Sequence, residues 1–154
     1  MLLAVPGFSQ ETKRWWLGTG LTYCSYLNNP GINVNVTYRL GNHIHIGPDF
    51  SAILTKESHD GTNWVKRKEL EFNFNIQYYL PMSERIKYYP LTGLNVSKVT
   101  HHKENFPADV RWVAAINAGM GTEFHFKALR VFVEGKYVLK LSKYDLTTGL
   151  LFPL

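Results

Sequence analysis

The stretch that most constrains the fold is residues 69–80, where apolar and polar side chains alternate with a period of two. The apolar set occupies the even positions: Leu70, Phe72, Phe74, Ile76, Tyr78 and Leu80. The polar set occupies the odd positions, with Tyr79 as the exception: Glu69, Glu71, Asn73, Asn75 and Gln77. This pattern predicts a β-strand with one apolar and one polar face. Globular strands typically have about 5–6 residues, whereas a tilted strand needs about 9–11 to cross a bilayer, so the length favours a membrane barrel.

The composition allows one domain and provides no membrane-spanning helix. The 154 residues suit a single domain, 14% of them are aromatic, and the mean hydropathy is -0.19. The uncharged stretch 15–38 is interrupted by the Asn-Asn-Pro-Gly segment at 28–31. It therefore never reaches the roughly 18 consecutive apolar residues that a spanning helix needs. If the chain crosses a membrane, strands must do it.

Alternation recurs along the chain and predicts eight strands. They cover residues 13–27, 32–40, 43–56, 69–80, 86–99, 111–126, 129–138 and a last strand after residue 143. Short turns are predicted at residues 41–42, 81–85 and 127–128, and longer polar loops at 57–65 and 100–109. Short turns at one end and longer loops at the other are typical of outer-membrane barrels. The sequence therefore predicts an all-β fold, an eight-stranded antiparallel up-and-down transmembrane β-barrel.

The polar face of these strands is predicted to line the lumen. Seven charged residues are assigned to a structural polar network there: Arg39, Glu69, Glu71, Glu123, Arg130, Glu134 and Lys136. Acids and bases among many Gly and Asn residues suit a narrow interior that is filled by its own side chains. Aromatic residues near the strand ends, among them Trp15, Tyr78 and Trp112, are predicted to form two interfacial girdles on the apolar face.

Three segments and the eight-strand layout carry a family resemblance. They are residues 117–123 (Asn-Ala-Gly-Met-Gly-Thr-Glu), 134–137 (Glu-Gly-Lys-Tyr) and 147–154 (Thr-Thr-Gly-Leu-Leu-Phe-Pro-Leu). The chain resembles the small outer-membrane β-barrel proteins of the OmpA and OmpX type over residues 13–154. The resemblance implies the outer membrane of a Gram-negative-type bacterium, with outer-membrane lipid and the barrel-assembly machinery as partners. Members of that family typically end in an aromatic residue, whereas this chain ends in Leu154 after Pro153.

The first residues are predicted to be the remnant of a secretory signal peptide. A short apolar run followed by Gly7 and Ser9 assigns residues 1–9 to the signal and residues 10–154 to a single barrel domain. Cys24 is the only cysteine, so no internal disulfide can form. The net charge of +5 is spread along the chain without a basic run, which argues against nucleic acid as a partner.

Candidate chemistry is sparse, and the sequence predicts no enzyme, no cofactor and no metal site. A lipid-modifying enzyme needs a nucleophile beside a base, and His125 and Glu134 lie on adjacent predicted strands without one. His101 and His102 could bind a metal together with His59, but adjacent histidines rarely point at the same ion. A soluble lipocalin-like barrel that carries a small apolar ligand is the main alternative, and its apolar face would point inward.

The predicted role is structural or surface-interactive, through the two longer loops. The candidate contact residues in these loops are His59, Asp60, Trp64, His101 and His102. An external ligand or a host surface is the expected partner, and the barrel is expected to be a monomer. Eight strands leave an interior just wide enough for side chains, so a general diffusion pore is not expected.

Overall fold

The structure is a computed structural model that describes residues 14–60, 63–103, 106–126 and 129–154. Its strands are β1 (Trp15–Cys24), β2 (Asn29–Arg39), β3 (Ile44–Asp60), β4 (Asn63–Tyr78), β5 (Leu80–Pro81), β6 (Ile86–Lys103), β7 (Asp109–His125), β8 (Arg130–Val138) and β9 (Lys143–Pro153). The two-residue β5 continues β4 beyond Tyr79, so the nine segments form eight barrel strands, which we call staves. A 3₁₀ turn, Leu139–Leu141, connects β8 to β9. Within the described residues, no helix is long and apolar enough to span a bilayer.

The staves close into a ring of antiparallel pairs, in the order β1-β2-β3-β4-β6-β7-β8-β9 and back to β1. The Cα partners can be followed once round this ring, from Arg39 through His45, Gln77, Leu91, Gly119, Lys136, Asp145 and Cys24 to Asn29. The path leaves β2 at residue 39 and returns to it at residue 29. This displacement of 10 residues along β2 is the shear number of the barrel. Eight strands about 4.8 Å apart with this shear tilt by about 41° from the barrel axis.

The apolar faces point outward and the polar faces inward, as the alternation predicts. In β4, Phe72, Phe74 and Ile76 are 44–51% exposed, whereas Glu69 and Glu71 are at most 2% exposed. An apolar belt around a polar interior is what a bilayer requires of a barrel. The lipocalin-like alternative requires the reverse polarity and is therefore wrong.

Aromatic side chains mark both edges of the apolar belt. Trp15 packs against Tyr38 at the short-turn end, with ring centroids 4.6 Å apart. At the other end of β1, Tyr23 is 43% exposed. Trp15 and Tyr23 are eight residues apart along β1, which is about 20 Å along the axis at this tilt and close to the apolar band of about 25 Å in membrane barrels.

Much of the predicted loops at 57–65 and 100–109 is strand in the structure, so the loop prediction is wrong for residues 57–60, 63–65, 100–103 and 109. β3 runs to Asp60 and β4 begins at Asn63, while β6 runs to Lys103 and β7 begins at Asp109. The strands continue beyond the apolar belt, and there both of their faces meet water. The period-two signal disappears where both faces are polar, which is why the sequence suggests loops.

Further strand bounds differ, and two predictions are outside the described residues. β1 ends at Cys24 instead of residue 27, and β2 begins at Asn29 instead of residue 32. The sequence pattern predicts that the last strand begins after Lys143, but Lys143 is the first residue of β9 and is fully buried. The predicted turn at 127–128 and the predicted signal remnant at 1–9 lie outside the described residues.

Candidate surface site and closed lumen

The end of the lumen nearest the short turns holds a cluster centred on Glu123. Its carboxylate accepts a hydrogen bond from the Tyr79 hydroxyl and lies 3.1 Å from Nε2 of His125. The Arg130 guanidinium approaches the same carboxylate at 3.9 Å. Arg130 also lies 3.6 Å from the ring centroid of Trp16, a cation–π contact that shields its charge. This lower cluster thus joins β1, β7 and β8 to Tyr79, which lies between β4 and β5.

The middle of the lumen is organised around Lys136 on β8. Its ammonium pairs with Asp49 and lies 3.4 Å from Glu134. Glu134 also accepts hydrogen bonds from the Tyr89 hydroxyl at 3.0 Å and from Gln77 at 3.3 Å. Asp49 lies on β3, four places away from β8 in the eight-stave ring. The contact therefore crosses the full width of the lumen.

The upper cluster is built the same way around Lys143 on β9. The ammonium donates to Glu69 at 2.7 Å and to Glu71, both on β4, and lies 3.7 Å from Asp145. β4 is four places from β9 in the ring, so this contact also spans the barrel. Each buried lysine therefore links two strands on opposite sides of the lumen, and each is almost completely excluded from water.

Buried amides fill the space between the charged clusters. Asn95 and Asn117 each donate to the side-chain oxygen of Asn73 at 2.8 Å. Asn117 also donates to Asn75 at 3.0 Å. An amide has both donors and acceptors, so Asn residues can pair with one another where water is excluded. Two atoms of this ladder, Nδ2 of Asn73 and Oδ1 of Asn117, have no hydrogen-bond partner among the described residues.

The lumen is closed as well as filled. Buried apolar side chains lie towards both of its ends: Trp16, Phe132 and Leu151 near the short turns, and Leu27, Ile53, Val99, Val113 and Val138 near the loops. A cavity lined by Thr37, Asp49 and Glu134 has a volume of only about 10 Å³, about enough for one water molecule. A continuous aqueous path does not fit such an interior.

Six of the seven predicted network residues lie buried in these clusters: Glu69, Glu71, Glu123, Arg130, Glu134 and Lys136. Arg39 is the exception, because it lies half-exposed at the short-turn end of the barrel, where its Nε donates to the Gly41 carbonyl at 3.0 Å. The prediction omitted Asp49, Lys143 and Asp145. Lys143 and Asp145 have the same parity as Thr147 in β9, so the period-two pattern of that strand, extended backwards, would have found them.

The residues considered for catalysis are not brought together. His125 contacts Glu123 in the lower cluster, whereas the partners of Glu134 are Tyr89, Gln77 and Lys136. Similarly, His101 and His102 are consecutive in β6, so they point to opposite faces of the sheet, and His102 is paired with Lys66 while His59 is paired with Trp64. The structure thus gathers neither a catalytic pair nor a histidine metal site from these residues.

The strand extensions beyond the apolar belt form a wall on one side of the barrel mouth. We call residues 56–60, 63–68, 99–103 and 109–111 the loop-end wall. Its four extensions are hydrogen-bonded side by side, with β4 pairing to β6 as far as Val65 and Lys103. On the opposite side, β1 ends at Cys24 and β8 at Val138, so the rim is low there.

The wall has two faces with different residues. Arg67 has the parity of Glu69, so its face continues the lumen wall, and this lumen-side face carries Lys56, Arg67, Lys103 and Arg111 with His101 and Asp109. The outer face carries Glu57, Trp64, Lys66 and His102, which line an open cavity of about 330 Å³. On that outer face, Lys66 and Glu57 form an ion pair at 2.7 Å.

Among the predicted contact residues, the structure therefore places His59, Trp64 and His102 on the outer face and His101 on the lumen-side face. Asp60 ends β3, and its side chain lies outside the described set. The prediction missed the cations of the lumen-side face, because their strands were assigned to loops.

The fold has clear counterparts among solved structures. Neisserial surface protein A superposes with a TM-score of 0.71 at 11% identity, covering 91% of this chain and 97% of that protein. This is the fold of the small outer-membrane β-barrels. Ail, the attachment invasion locus protein of Yersinia pestis, solved with the heparin analogue sucrose octasulfate, gives a TM-score of 0.65 at 14% identity, covering 91% of this chain and 99% of Ail. A de novo designed transmembrane β-barrel gives 0.59 at 12% identity, covering 96% of this chain and all 100% of the design. No protein-family model and no curated protein matches the sequence.

Proposed function

We propose that this chain is a monomeric surface protein of the outer membrane of a Gram-negative-type bacterium and that its loop-end wall binds an anionic ligand outside the cell. The continuous apolar belt supports contact with outer-membrane lipid. The closed antiparallel ring supports insertion by the barrel-assembly machinery. The sealed lumen favours a role at the cell surface over the passage of solutes through the barrel. The separation of His125 from Glu134 favours a non-enzymatic role.

The observation that carries the proposal is the charge of the lumen-side face of the wall. Lys56 and Arg67 are direct cross-strand partners, and like charges directly opposite each other destabilise a sheet. Arg111 adds a cation on the same face, where Asp109 is a described acid. An anion lying between these side chains would offset their repulsion, and a guanidinium binds planar anionic groups through paired hydrogen bonds.

The class of ligand is a sulfated or otherwise polyanionic surface glycan. Ail, which shares the fold, was solved with a sulfated heparin analogue, and that supports the same class of ligand here. A rigid, paired wall presents its cations at fixed spacing, which suits a repeating polymer better than a single small anion.

The test uses immobilised heparin and the full chain folded in detergent. Replacing Lys56→Gln together with Arg67→Gln should weaken binding at least about tenfold, because each lost hydrogen bond to a charged group is worth roughly 1.5–3 kcal/mol. The matched control is Arg14→Gln with Arg85→Gln, which removes the same charge at the opposite end. Equal weakening in both variants would show that only net charge matters and would contradict the proposal.

A second variant separates the wall from the barrel. Exchanging residues 56–68 and 100–111, which include all four cations of the lumen-side face, for short Gly-Ser turns should leave the barrel folded, since the partner ring from Arg39 to Asn29 lies entirely below them. Heparin binding should then be lost. If the variant fails to fold, the wall is a structural element and the binding proposal loses its basis.

A further inference from the structure

The upper cluster of the lumen contains more acidic than basic groups. Glu69, Glu71 and Asp145 surround the single ammonium of Lys143, and all four residues are at most 3% exposed. Three carboxylates beside one ammonium leave two negative charges uncompensated when all are ionised. Buried charges of this kind are strongly unfavourable unless a further positive group lies beside them.

Asp145 shows where that positive group is missing. Neither of its carboxylate oxygens accepts a hydrogen bond of regular geometry from the residues that the structure describes, and the Cys24 thiol, a weak donor, is the side chain that interacts with it. Its nearest cation is Lys143 at 3.7 Å, and that ammonium already donates to Glu69 and Glu71. A buried carboxylate is almost always hydrogen-bonded or coordinated, so Asp145 points to a ligand in this cluster.

Cys24 completes a set of donor atoms. It is fully buried and is the direct cross-strand partner of Asp145. Its Sγ, one oxygen of Glu71 and one oxygen of Asp145 all lie within 4.8 Å of one another. The thiol lies 3.6 Å from Oε2 of Glu69, which places a fourth donor atom, the third oxygen, at the edge of the set. Zn²⁺ is bound by three or four protein ligands, and Cys sulfur and carboxylate oxygen are among the atoms that it accepts.

We propose that the upper cluster is a binding site for a divalent transition metal of the Zn²⁺ type, held by Cys24 Sγ and the carboxylates of Glu71 and Asp145. Binding replaces the thiol proton, which leaves to solvent. The two positive charges of the ion therefore offset the new thiolate charge and one of the two excess carboxylate charges. The thiolate selects against Ca²⁺ and Mg²⁺, which take oxygen ligands in larger number. The site goes beyond the proposed surface function and does not depend on it.

The surroundings of the site determine when the metal enters. Ile53 and Val99 are the cross-strand neighbours of Glu69, and Leu27 packs with Ile53 against Cys24. This apolar layer separates the cluster from the barrel mouth. The metal is therefore bound while the barrel folds and is then released only when it unfolds.

The first test is stoichiometry in the wild-type chain. The full chain is refolded in detergent with Zn²⁺, freed of unbound metal, and measured by elemental analysis. The expected result is about one zinc ion per folded barrel, resistant to a chelator until the barrel is unfolded. A barrel that folds fully with Zn²⁺ present and retains none would overturn the proposal, because the cluster would then be balanced by protons.

The second test locates the ion with Co²⁺ as a coloured probe. The wild type should show a thiolate-to-cobalt charge-transfer band that Cys24→Ser abolishes, and Asp145→Asn should reduce the retained metal at least tenfold. Glu134→Gln, which neutralises a buried carboxylate of the middle cluster, is the matched control and should keep both the band and the ion. Retention of the ion in Cys24→Ser and Asp145→Asn as in the wild type would place it elsewhere and would overturn the assignment. Should either variant fail to fold, the wild-type stoichiometry and the charge-transfer band decide.

Discussion

Two buried lysines determine how the interior of this barrel is held together. Lys136 and Lys143 each reach across the lumen to carboxylates on the strand four places away in the ring. A buried ammonium without its partners is far more costly than an exposed one, and the same holds for the carboxylates left behind. These contacts therefore specify which strands face each other, in addition to filling space.

The prediction at this scale concerns Lys136→Met, which keeps an unbranched side chain and removes the charge. Asp49 and Glu134 would then remain buried without their ammonium, so we expect a loss of about 3–5 kcal/mol in the free energy of unfolding. Urea unfolding in micelles, followed by circular dichroism, measures it. Lys140→Met, on the exposed 3₁₀ turn, is the control and should change stability by less than about 0.5 kcal/mol. A barrel equally stable with Met at 136 would mean that the lysine contributes no net stability.

At the scale of single strands, two glycines lie side by side at the contact between β7 and β8. A Cβ added at Gly119 would lie 2.1 Å from the carbonyl oxygen of Gly135, whereas a Cβ added at Gly135 would meet open space. The two residues lie on neighbouring strands, but Gly119 faces the lumen and Gly135 faces the outside of the barrel. Only the inward glycine is therefore required by packing.

These neighbouring glycines give a matched pair of substitutions. Gly119→Ala should destabilise the barrel by about 1–3 kcal/mol because a strand must shift to relieve the overlap. Gly135→Ala should be neutral or should stabilise by up to about 1 kcal/mol, since it restricts the unfolded chain without a clash. The midpoints of urea unfolding compare them directly. The same effect at both positions would show that the two strands are not packed as described.

Alternation of side chains predicts part of this structure and is silent on the rest. It predicts the eight strands, the direction of each face and six network residues. The reason is that a strand with one face in the lumen and one outside must alternate polar and apolar residues, as β4 does. It fails in the loop-end wall, where both faces are wet. It also cannot predict that Lys136 meets Asp49, because that contact depends on ring closure and shear, which no local pattern records.

At the scale of the whole molecule, the apolar belt and the sealed interior define a barrel whose solvent is lipid. The belt extends between the aromatic girdles, and Phe74 lies near its middle, 44% exposed to the outside. Trp64, 50% exposed, lies outside the belt on the loop-end wall. The same substitution at these two aromatic residues should therefore have different consequences.

Phe74→Lys places a charge at the level of the bilayer midplane and should cost about 2–4 kcal/mol of stability, with slower insertion into vesicles. Trp64→Lys should change neither quantity appreciably, because its side chain meets water. Folding yield and urea unfolding in phospholipid vesicles measure both. If Trp64→Lys were the more damaging change, the apolar belt would have been placed at the wrong height.

The central claim, that this chain is a closed barrel with its apolar face in lipid, is tested most directly by refolding the full chain into detergent micelles. Boiled and unboiled samples are compared on an SDS gel, with circular dichroism alongside. A closed ring has no free strand edge for the detergent to disrupt, so the account predicts a β-rich spectrum and a faster-migrating unboiled band. A chain that folds to a soluble monomer without detergent, and shows no heat-dependent change in mobility, would contradict it.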